Sequence, residues 1–249
     1  YKLVIDPLDP QTLYAGTTSQ FYKSFDGGLS WVKLPVPDGG SIDAVAPAIA
    51  PNDPQTIYLG GESPNAIFKS TDGGGFWVQV FTSPAPVHIL VIDRFDSQVL
   101  YAGTSGSGVF KSVDGGATWQ AANSGLTKLN IHALAIDPSQ PQIVYAGAVA
   151  SSDLSGGLFK STDSGATWHE IGFGVTNADV YALAADYTGT VYIGTNHGLF
   201  KLGAAQPVDI DINPGNDANV INCTRPNVLI PVAILTTDAF DATTVDHTT

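Results

Sequence analysis

The sequence predicts an all-β fold, a β-propeller of about five four-stranded blades whose last blade is incomplete. An eight-residue motif recurs as SFDGGLSW, STDGGGFW, SVDGGATW and STDSGATW, and its copies end at the four tryptophans of the chain. Successive tryptophans are 46, 42 and 49 residues apart, which is the length of one propeller blade. No stretch shows a sustained helical period of apolar residues, so almost no helix is expected.

Each repeat contains four short β-prone segments in a fixed order, which we name strands A to D. In the fourth repeat they read HALAID, QIVYAG, GLFKS and TWHEI. Short strands at regular spacing with turn residues between them are typical of β-sandwiches, barrels and propellers. The fifth repeat stops after Phe200 and Lys201 without another motif, so it lacks strand D. We expect either an open seam there or a strand supplied by residues 207–212.

The eight-residue motif is expected to form the turn between strands C and D. Its aspartate accepts hydrogen bonds from backbone N–H groups ahead of it, and its second glycine supplies a positive φ. The tryptophan then begins strand D, with its ring available to pack between neighbouring blades. The motif residues to which we assign this structural role are Asp26, Gly28, Trp31, Asp72, Gly74, Trp77, Asp114, Gly116, Trp119, Asp163, Gly165 and Trp168.

This SxDGGxTW pattern resembles the Asp-box, or BNR, repeat of sialidases, sortilin-like receptors, xyloglucan-degrading glycosidases and photosystem II assembly factors. The resemblance covers residues 1–203 and implies a propeller domain over that range. These families share the motif and little chemistry, so the resemblance alone assigns no activity.

Residues 204–249 differ from the repeats and are predicted to form the first part of a second, truncated β-sandwich-like module. The pieces DINPG, IPVAILTT and FDATTVD are similar to a β module appended to secreted bacterial and archaeal proteins. The apolar run at 228–240 would leave an unpaired sheet edge, and such an edge recruits another strand. Self-assembly through strand addition is therefore one expectation for this segment.

Composition excludes several classes of partner. The formal net charge of −13 and pI near 4.4 argue against nucleic-acid binding. No apolar run reaches the length of about 18 residues that a membrane-spanning helix needs. The single cysteine, Cys223, excludes an intrachain disulfide, and the five histidines show no metal-ligand spacing, so neither a metal nor a cofactor is expected. We interpret the chain as a piece of a secreted or cell-surface protein.

The search for catalytic residues predicts that the protein is not an enzyme. A sialidase needs three arginines around the substrate carboxylate, whereas this chain has only Arg94 and Arg225. A xyloglucanase-type glycosidase needs two carboxylates facing each other across a cleft. Most aspartates are instead explained by their positions in turns or at the ends of strand A, so we assign no catalytic residue.

A ligand site is expected on the propeller face that carries the D-to-A and B-to-C connections. Five aligned residues begin strand A and would gather at the channel mouth: Tyr1, Val45, His88, His132 and Tyr181. Longer B-to-C connections add Glu62, Asn65 and Asp153 to this face. Packing between blades is one interpretation of the ring, and binding of a sugar or peptide is the other.

These observations favour a non-catalytic extracellular binding or scaffolding propeller, with a glycan or protein as its partner. The first alternative is a structural subunit of a fibre, sheath or surface layer that assembles by strand addition. The second alternative is a glycosidase that acts on a polysaccharide.

Overall fold

A computed structural model describes residues 2–17, 20–37, 46–151, 155–172 and 178–203 of the chain. Three of the proposed ligand-face residues lie outside these ranges, namely Tyr1, Val45 and Asp153. The prediction of a second β module at 204–249 and the proposed closing strand at 207–212 also fall outside the described residues. Within the described part, no helix is long and apolar enough to cross a bilayer.

The described residues form nineteen β-strands. Blade 1 contains β1 (Lys2–Ile5), β2 (Leu13–Gly16), β3 (Phe21–Ser24) and β4 (Val32–Leu34). Blade 2 contains β5 (Ala46–Ile49), β6 (Ile57–Glu62), β7 (Asn65–Ser70) and β8 (Val78–Thr82). Blade 3 contains β9 (Val87–Ile92), β10 (Leu100–Thr104), β11 (Gly108–Ser112) and β12 (Gln120–Ala121). Blade 4 contains β13 (Ile131–Ile136), β14 (Val144–Ala148), β15 (Gly157–Ser161) and β16 (His169–Glu170). Blade 5 contains β17 (Val180–Ala185), β18 (Val191–Thr195) and β19 (Gly198–Leu202).

Each blade is an antiparallel meander in which every strand pairs with the next strand in the chain. Blades 1 to 4 each have four strands in this order, and blade 5 has three among the described residues. The prediction of an all-β propeller with five blades is confirmed. Short local connections suffice for such a topology, which is why the sequence repeat alone revealed it.

The hydrophobic core lies between consecutive blades rather than within one of them. Four clusters of buried side chains join blade 1 to 2, 2 to 3, 3 to 4 and 4 to 5. The tyrosine of strand B contributes to each cluster, and its exposure is at most 3% in the first four blades: Tyr14, Tyr58, Tyr101 and Tyr145. The fifth, Tyr192, is 38% exposed, because no described blade follows it.

The eight-residue motif forms a turn held by its serine and aspartate together. In blade 3, Thr118 N donates to Asp114 Oδ1 over 2.8 Å, Ser112 Oγ donates to the same oxygen over 2.8 Å, and Gly116 N donates to Ser112 Oγ over 2.9 Å. The hydrogen bonds from Thr118 and then Ser112 lower the pKa of Asp114 to about 2. Gly116 has a φ of 82°, in the left-handed region that glycine adopts without strain. The same bonds recur around the other three aspartates, Asp26, Asp72 and Asp163.

The motif turn also joins one blade to the next, a role that the sequence analysis did not predict. Tyr58 Oη and Lys69 Nζ of blade 2 both donate to the carbonyl oxygen of Gly115 in blade 3, over 2.7 and 2.9 Å. Tyr101 and Lys111 of blade 3 bind the carbonyl oxygen of Ser164 in blade 4 in the same way, over 2.9 and 2.8 Å. We call this arrangement the tyrosine–lysine latch.

The tryptophans occupy two different environments. Trp77 and Trp168 are 9% and 1% exposed, and each indole N–H donates to a carbonyl of the preceding blade. Trp119 packs against Phe81 of blade 2 with ring centroids 5.8 Å apart. Trp31 differs from the expectation that every motif tryptophan packs between blades, because it is 39% exposed and donates only to Gly28 of its own turn. No described blade precedes blade 1 to cover it.

Candidate functional site

Strand A of blades 3, 4 and 5 contains a β-bulge near its first residue. The extra residue of each bulge is one of the predicted mouth residues. His88 lies between the paired residues Val87 and Ile89, which face Thr104 and Gly103. His132 and Tyr181 occupy the equivalent unpaired positions in β13 and β17. A bulge redirects a side chain relative to the regular alternation of a strand. It therefore explains how three consecutive blades present these residues to the same region.

The three bulge residues form a continuous row of rings. The imidazoles of His88 and His132 stack with centroids 4.1 Å apart and planes inclined by 25°. Tyr181 meets His132 edge-on at 6.3 Å and 85°. Glu62 adjoins the other end of the row, with its Oε1 3.4 Å from His88 Nδ1. We call these four residues, together with Asp179 and Lys2, the mouth cluster.

Asp179 immediately precedes β17 and holds the Tyr181 end of the row. Its carboxylate accepts hydrogen bonds from the Ala150 backbone N–H, from Tyr181 Oη at 3.4 Å and from Asn196 Nδ2 at 3.4 Å. Asn196 also accepts a bond from the Asp179 backbone N–H over 3.1 Å. The carboxylate therefore connects blade 5 to the B-to-C connection of blade 4 and fixes the phenol beside the imidazoles.

Burial and nearby positive charge keep the two imidazoles neutral. Burial is the main cause that lowers the pKa of His132 to about 4. The charge that His88 carries when it is protonated and the charge of Lys2 lower this pKa further, whereas the Asp179 carboxylate raises it. Burial also lowers the pKa of His88 despite the neighbouring Glu62. A neutral imidazole has one N–H donor and one acceptor nitrogen. At neutral pH the row can consequently donate to and accept from hydroxyl groups while presenting ring faces to apolar atoms.

Lowered histidine pKa values predict an acid-sensitive site. A histidine whose folded pKa lies below its unfolded value of about 6.5 contributes stability above that pH, and the contribution is lost as pH falls towards the folded pKa. We expect the His132 imidazole to titrate near pH 4 by NMR. His132→Gln should flatten the dependence of unfolding free energy on pH between about 4 and 6.5. A His132 midpoint near 6.5 would contradict this prediction, as would an unchanged slope in the variant.

The structure brings four of the residues predicted for the ligand face into contact, namely Glu62, His88, His132 and Tyr181. Asn65 pairs with Glu62 across the β6–β7 connection. Ligand binding by these residues stays a prediction. Sequence reasoning missed Lys2, Asp179 and Asn196. Asp179 could have been found in the sequence, because it is a carboxylate two residues before the aligned mouth residue Tyr181. Nothing in the sequence indicates the hydrogen bonds of Asn196.

Metal binding is not indicated by the part of the chain that the structure describes. Those residues contain no group of three or more His, Cys, Asp or Glu side chains that could hold an ion. The mouth cluster is thus a set of rings, two carboxylates and one ammonium group, whose chemistry is hydrogen bonding, ring contact and proton transfer.

Comparison with known proteins identifies enzymes among the relatives. The xyloglucanase Xgh74A of Acetivibrio thermocellus is 32% identical, over 38% of this chain and 13% of its own length. A xyloglucanase from a Paenibacillus species is 30% identical, over 34% of this chain and 10% of its own length. The chain therefore corresponds to a small fraction of either relative. The crystal structure of the Niastella koreensis GH74 enzyme shares the fold, with a TM-score of 0.68, 22% identity and coverage of 81% of this chain and 36% of that one.

These relatives correct the functional prediction made from the sequence. The prediction of a non-catalytic binding or scaffolding propeller is wrong, and so is the prediction that the protein is not an enzyme, because the matched relatives are xyloglucanases. The prediction rested on the assignment of most aspartates to turns or to the ends of strand A, which left no carboxylate pair identified. The comparisons favour the glycosidase, which was the second alternative.

Family membership follows from a match over a longer range. The profile of the Sortilin-Vps10 family, described as sortilin, neurotensin receptor 3, matches residues 65–197. That range runs from the last strands of blade 2 into blade 5 and covers more than half of the chain. The chain belongs to the Sortilin-Vps10 family.

Proposed function

We propose that this chain is a propeller part of a glycoside hydrolase that acts on a xyloglucan-type polysaccharide. The observation that carries the proposal is the 32% identity to the xyloglucanase of Acetivibrio thermocellus. We further interpret the four motif turns as Asp boxes of the BNR type, supported by their shared serine–aspartate–glycine hydrogen bonds. Because a polysaccharide is too large to enter a cell intact, the proposal places the protein outside the cell.

The mouth cluster has the chemistry that sugar recognition requires. Tyr181 is 48% exposed, so a pyranose ring can reach its face. Neutral His88 and His132 supply donors and acceptors that match sugar hydroxyl groups. The cluster combines ring surfaces with a few fixed polar groups, which is the usual composition of a small-molecule site. We assign one or more sugar units of the polysaccharide to this row.

Hydrolysis of a glycosidic bond uses one carboxyl group as acid and a second carboxylate as base or nucleophile. Glu62 and Asp179 flank the row of rings at its two ends. The Glu62 side chain is 35% exposed, so it remains accessible beside His88. Asp179 is fixed by its hydrogen bonds to Ala150, Tyr181 and Asn196. We propose these two residues as the carboxylates of the site.

Release of reducing ends from xyloglucan tests the proposal, with cellulose as a comparison substrate. We expect turnover of xyloglucan and a loss of about 100-fold or more in Glu62→Gln and in Asp179→Asn, the scale of general acid–base catalysis. Asp96→Asn is the matched control, because Asp96 lies in the turn between β9 and β10, at the end of strand A opposite to His88. Thermal unfolding of each variant separates loss of activity from loss of fold. Absence of turnover in the wild-type chain, or full activity in both variants, would refute the proposal.

A further inference from the structure

The turns between strands A and B lie at the opposite end of strand A from the mouth cluster. His88 is the second residue of β9, and Arg94 follows the last residue of that strand by two positions. Six residues of extended chain span roughly 20 Å, so the two regions are separate. We call the side chains of Arg94, Phe95 and Tyr187, which lie in these turns, the distal row.

The distal row consists of a guanidinium group in contact with two aromatic rings from different blades. The Arg94 Cζ atom lies 5.1 Å from the centre of the Phe95 ring and 4.8 Å from the centre of the Tyr187 ring. Phe95 belongs to the A-to-B turn of blade 3 and Tyr187 to that of blade 5. Ser139 Oγ of blade 4 donates to the Tyr187 carbonyl oxygen over 2.8 Å. Contacts among three consecutive blades therefore hold the row in place.

Both rings stay exposed although they contact the arginine. Phe95 is 63% exposed and Tyr187 is 65% exposed. Blade 3 lies between the described blades 2 and 4, so the exposure of Phe95 does not result from the lack of a neighbouring blade. The contacts of Tyr187 with Arg94 and Ser139 are directed towards the inner blades. The row thus offers ring surfaces beside a fixed polar group, a combination typical of small-molecule sites.

The guanidinium group of the row lacks an acidic partner in the part of the chain that the structure describes. Neither of the two ion pairs found there includes Arg94, and its side chain makes no hydrogen bond to another described residue. An arginine side chain that stacks on rings keeps its in-plane N–H groups available. Those groups match a carboxylate, which they bind with two parallel hydrogen bonds.

The surroundings of the row favour a sugar over a peptide as the bearer of this carboxylate. The turn N–H groups of Phe95, Ser139 and Thr188 already donate to the carboxylates of Asp93, Asp137 and Asp186, so few main-chain groups remain for a peptide. The net charge of −13 also repels a densely charged polyanion. A neutral sugar chain that carries one carboxylate fits both conditions.

We propose that the distal row binds a uronic acid unit on an otherwise neutral oligosaccharide. The carboxylate of this unit pairs with the Arg94 guanidinium group, and its pyranose ring lies against Tyr187 or Phe95. The site uses no residue of the mouth cluster, so the proposal is independent of the glycosidase activity.

Calorimetric titration of the full chain with a xylo-oligosaccharide that carries one glucuronic acid unit tests the proposal. The neutral oligosaccharide of the same length should bind at least about 10-fold more weakly, and Arg94→Ala should weaken binding of the acidic ligand about 10–100-fold, the scale of hydrogen bonds to a charged group. Arg94→Lys should recover only part of the loss, because an ammonium group lacks the planar fork. Lys33→Ala is the matched control, since it removes the same charge from the outermost strand of blade 1 and should bind like the wild type.

Several outcomes would overturn the proposal. Failure of the wild-type chain to bind the acidic ligand at millimolar concentration would show that the row is covered or inactive in the full chain. Equal affinity for the two oligosaccharides, or unchanged binding in Arg94→Ala, would exclude the pairing with a carboxylate. An equal loss in Lys33→Ala would indicate attraction by overall charge rather than a site. Tighter binding of a short peptide with a free C-terminal carboxylate would exclude the sugar as the favoured ligand. Thermal unfolding checks that each variant is folded.

Discussion

Replacing Trp168 by alanine is expected to lower the free energy of unfolding by about 3–5 kcal/mol, the range for removing a buried tryptophan side chain. The ring is 1% exposed and packs in the cluster between blades 3 and 4 with Tyr101 and Phe159. Its indole N–H donates to Ala122 O over 2.8 Å, so the truncation also leaves a carbonyl of blade 3 without its partner. Denaturant unfolding followed by far-UV circular dichroism measures the change.

Trp31→Ala is the matched control, because Trp31 ends the same eight-residue motif but is 39% exposed. Its indole bonds only within its own turn, over 3.1 Å to Gly28 O. We expect this variant to lose clearly less stability than Trp168→Ala. Equal losses would mean that the motif tryptophan acts through its own turn, and the interpretation of the tryptophan as a contact between blades would then be wrong.

Replacing Gly125 by alanine is expected to destabilise the protein by roughly 2–5 kcal/mol, through a left-handed backbone cost of about 1–2 and overpacking of about 1–3. Gly125 has a φ of 88°, and an added Cβ would lie 2.1 Å from the carbonyl oxygen of Trp168. That oxygen belongs to the backbone, so relief requires the two chain segments to separate. Separation would weaken the bond from Trp168 N to Ser124 O, which measures 2.8 Å.

Gly106→Ala separates the two contributions. Gly106 has a similar φ of 92°, but no atom lies within 4 Å of its added Cβ. This variant should therefore show only the backbone cost of about 1–2 kcal/mol. Chemical denaturation of both variants gives the difference. If Gly125→Ala were no less stable than Gly106→Ala, the close approach of blades 3 and 4 at this point would not contribute to stability.

The sequence repeat predicted that the two histidines of the candidate site share one structural position, but it did not predict how their rings are arranged. Alignment of the five units placed His88, His132 and Tyr181 at one structural position, because repetition converts sequence register into spatial register. The bulges that direct them together, and the stacking at 4.1 Å, depend on how neighbouring strands pair. Asp179 joins the cluster through its bond with the Ala150 N–H of blade 4, and Lys2 acts on both histidines through its charge. The periodicity of one repeat predicts neither interaction.

The carboxylates of the proposed site show the same limit of sequence reasoning. Asp6, Asp93 and Asp137 do bond turn N–H groups at the end of strand A, as their positions indicated. Most aspartates were explained by such positions, whereas Glu62 was assigned to the ligand face and Asp179 was not singled out. The structure places both carboxylates beside the row of rings. Proximity of a carboxylate to the rings depends on several blades together, so the local sequence around the carboxylate does not reveal it.

By itself, the sequence determined the blade count, the strand order and the conformation of the motif turns. These features rest on interactions within a few residues, such as the bonds from Thr118 and Ser112 to Asp114. Only the tertiary structure decided which copies of the motif are buried and which blades are latched. Trp31 and Trp168 end the same motif, yet their exposures are 39% and 1%. The difference arises because the burial of the tryptophan depends on whether another blade lies against the turn. The local sequence does not indicate whether such a blade is present.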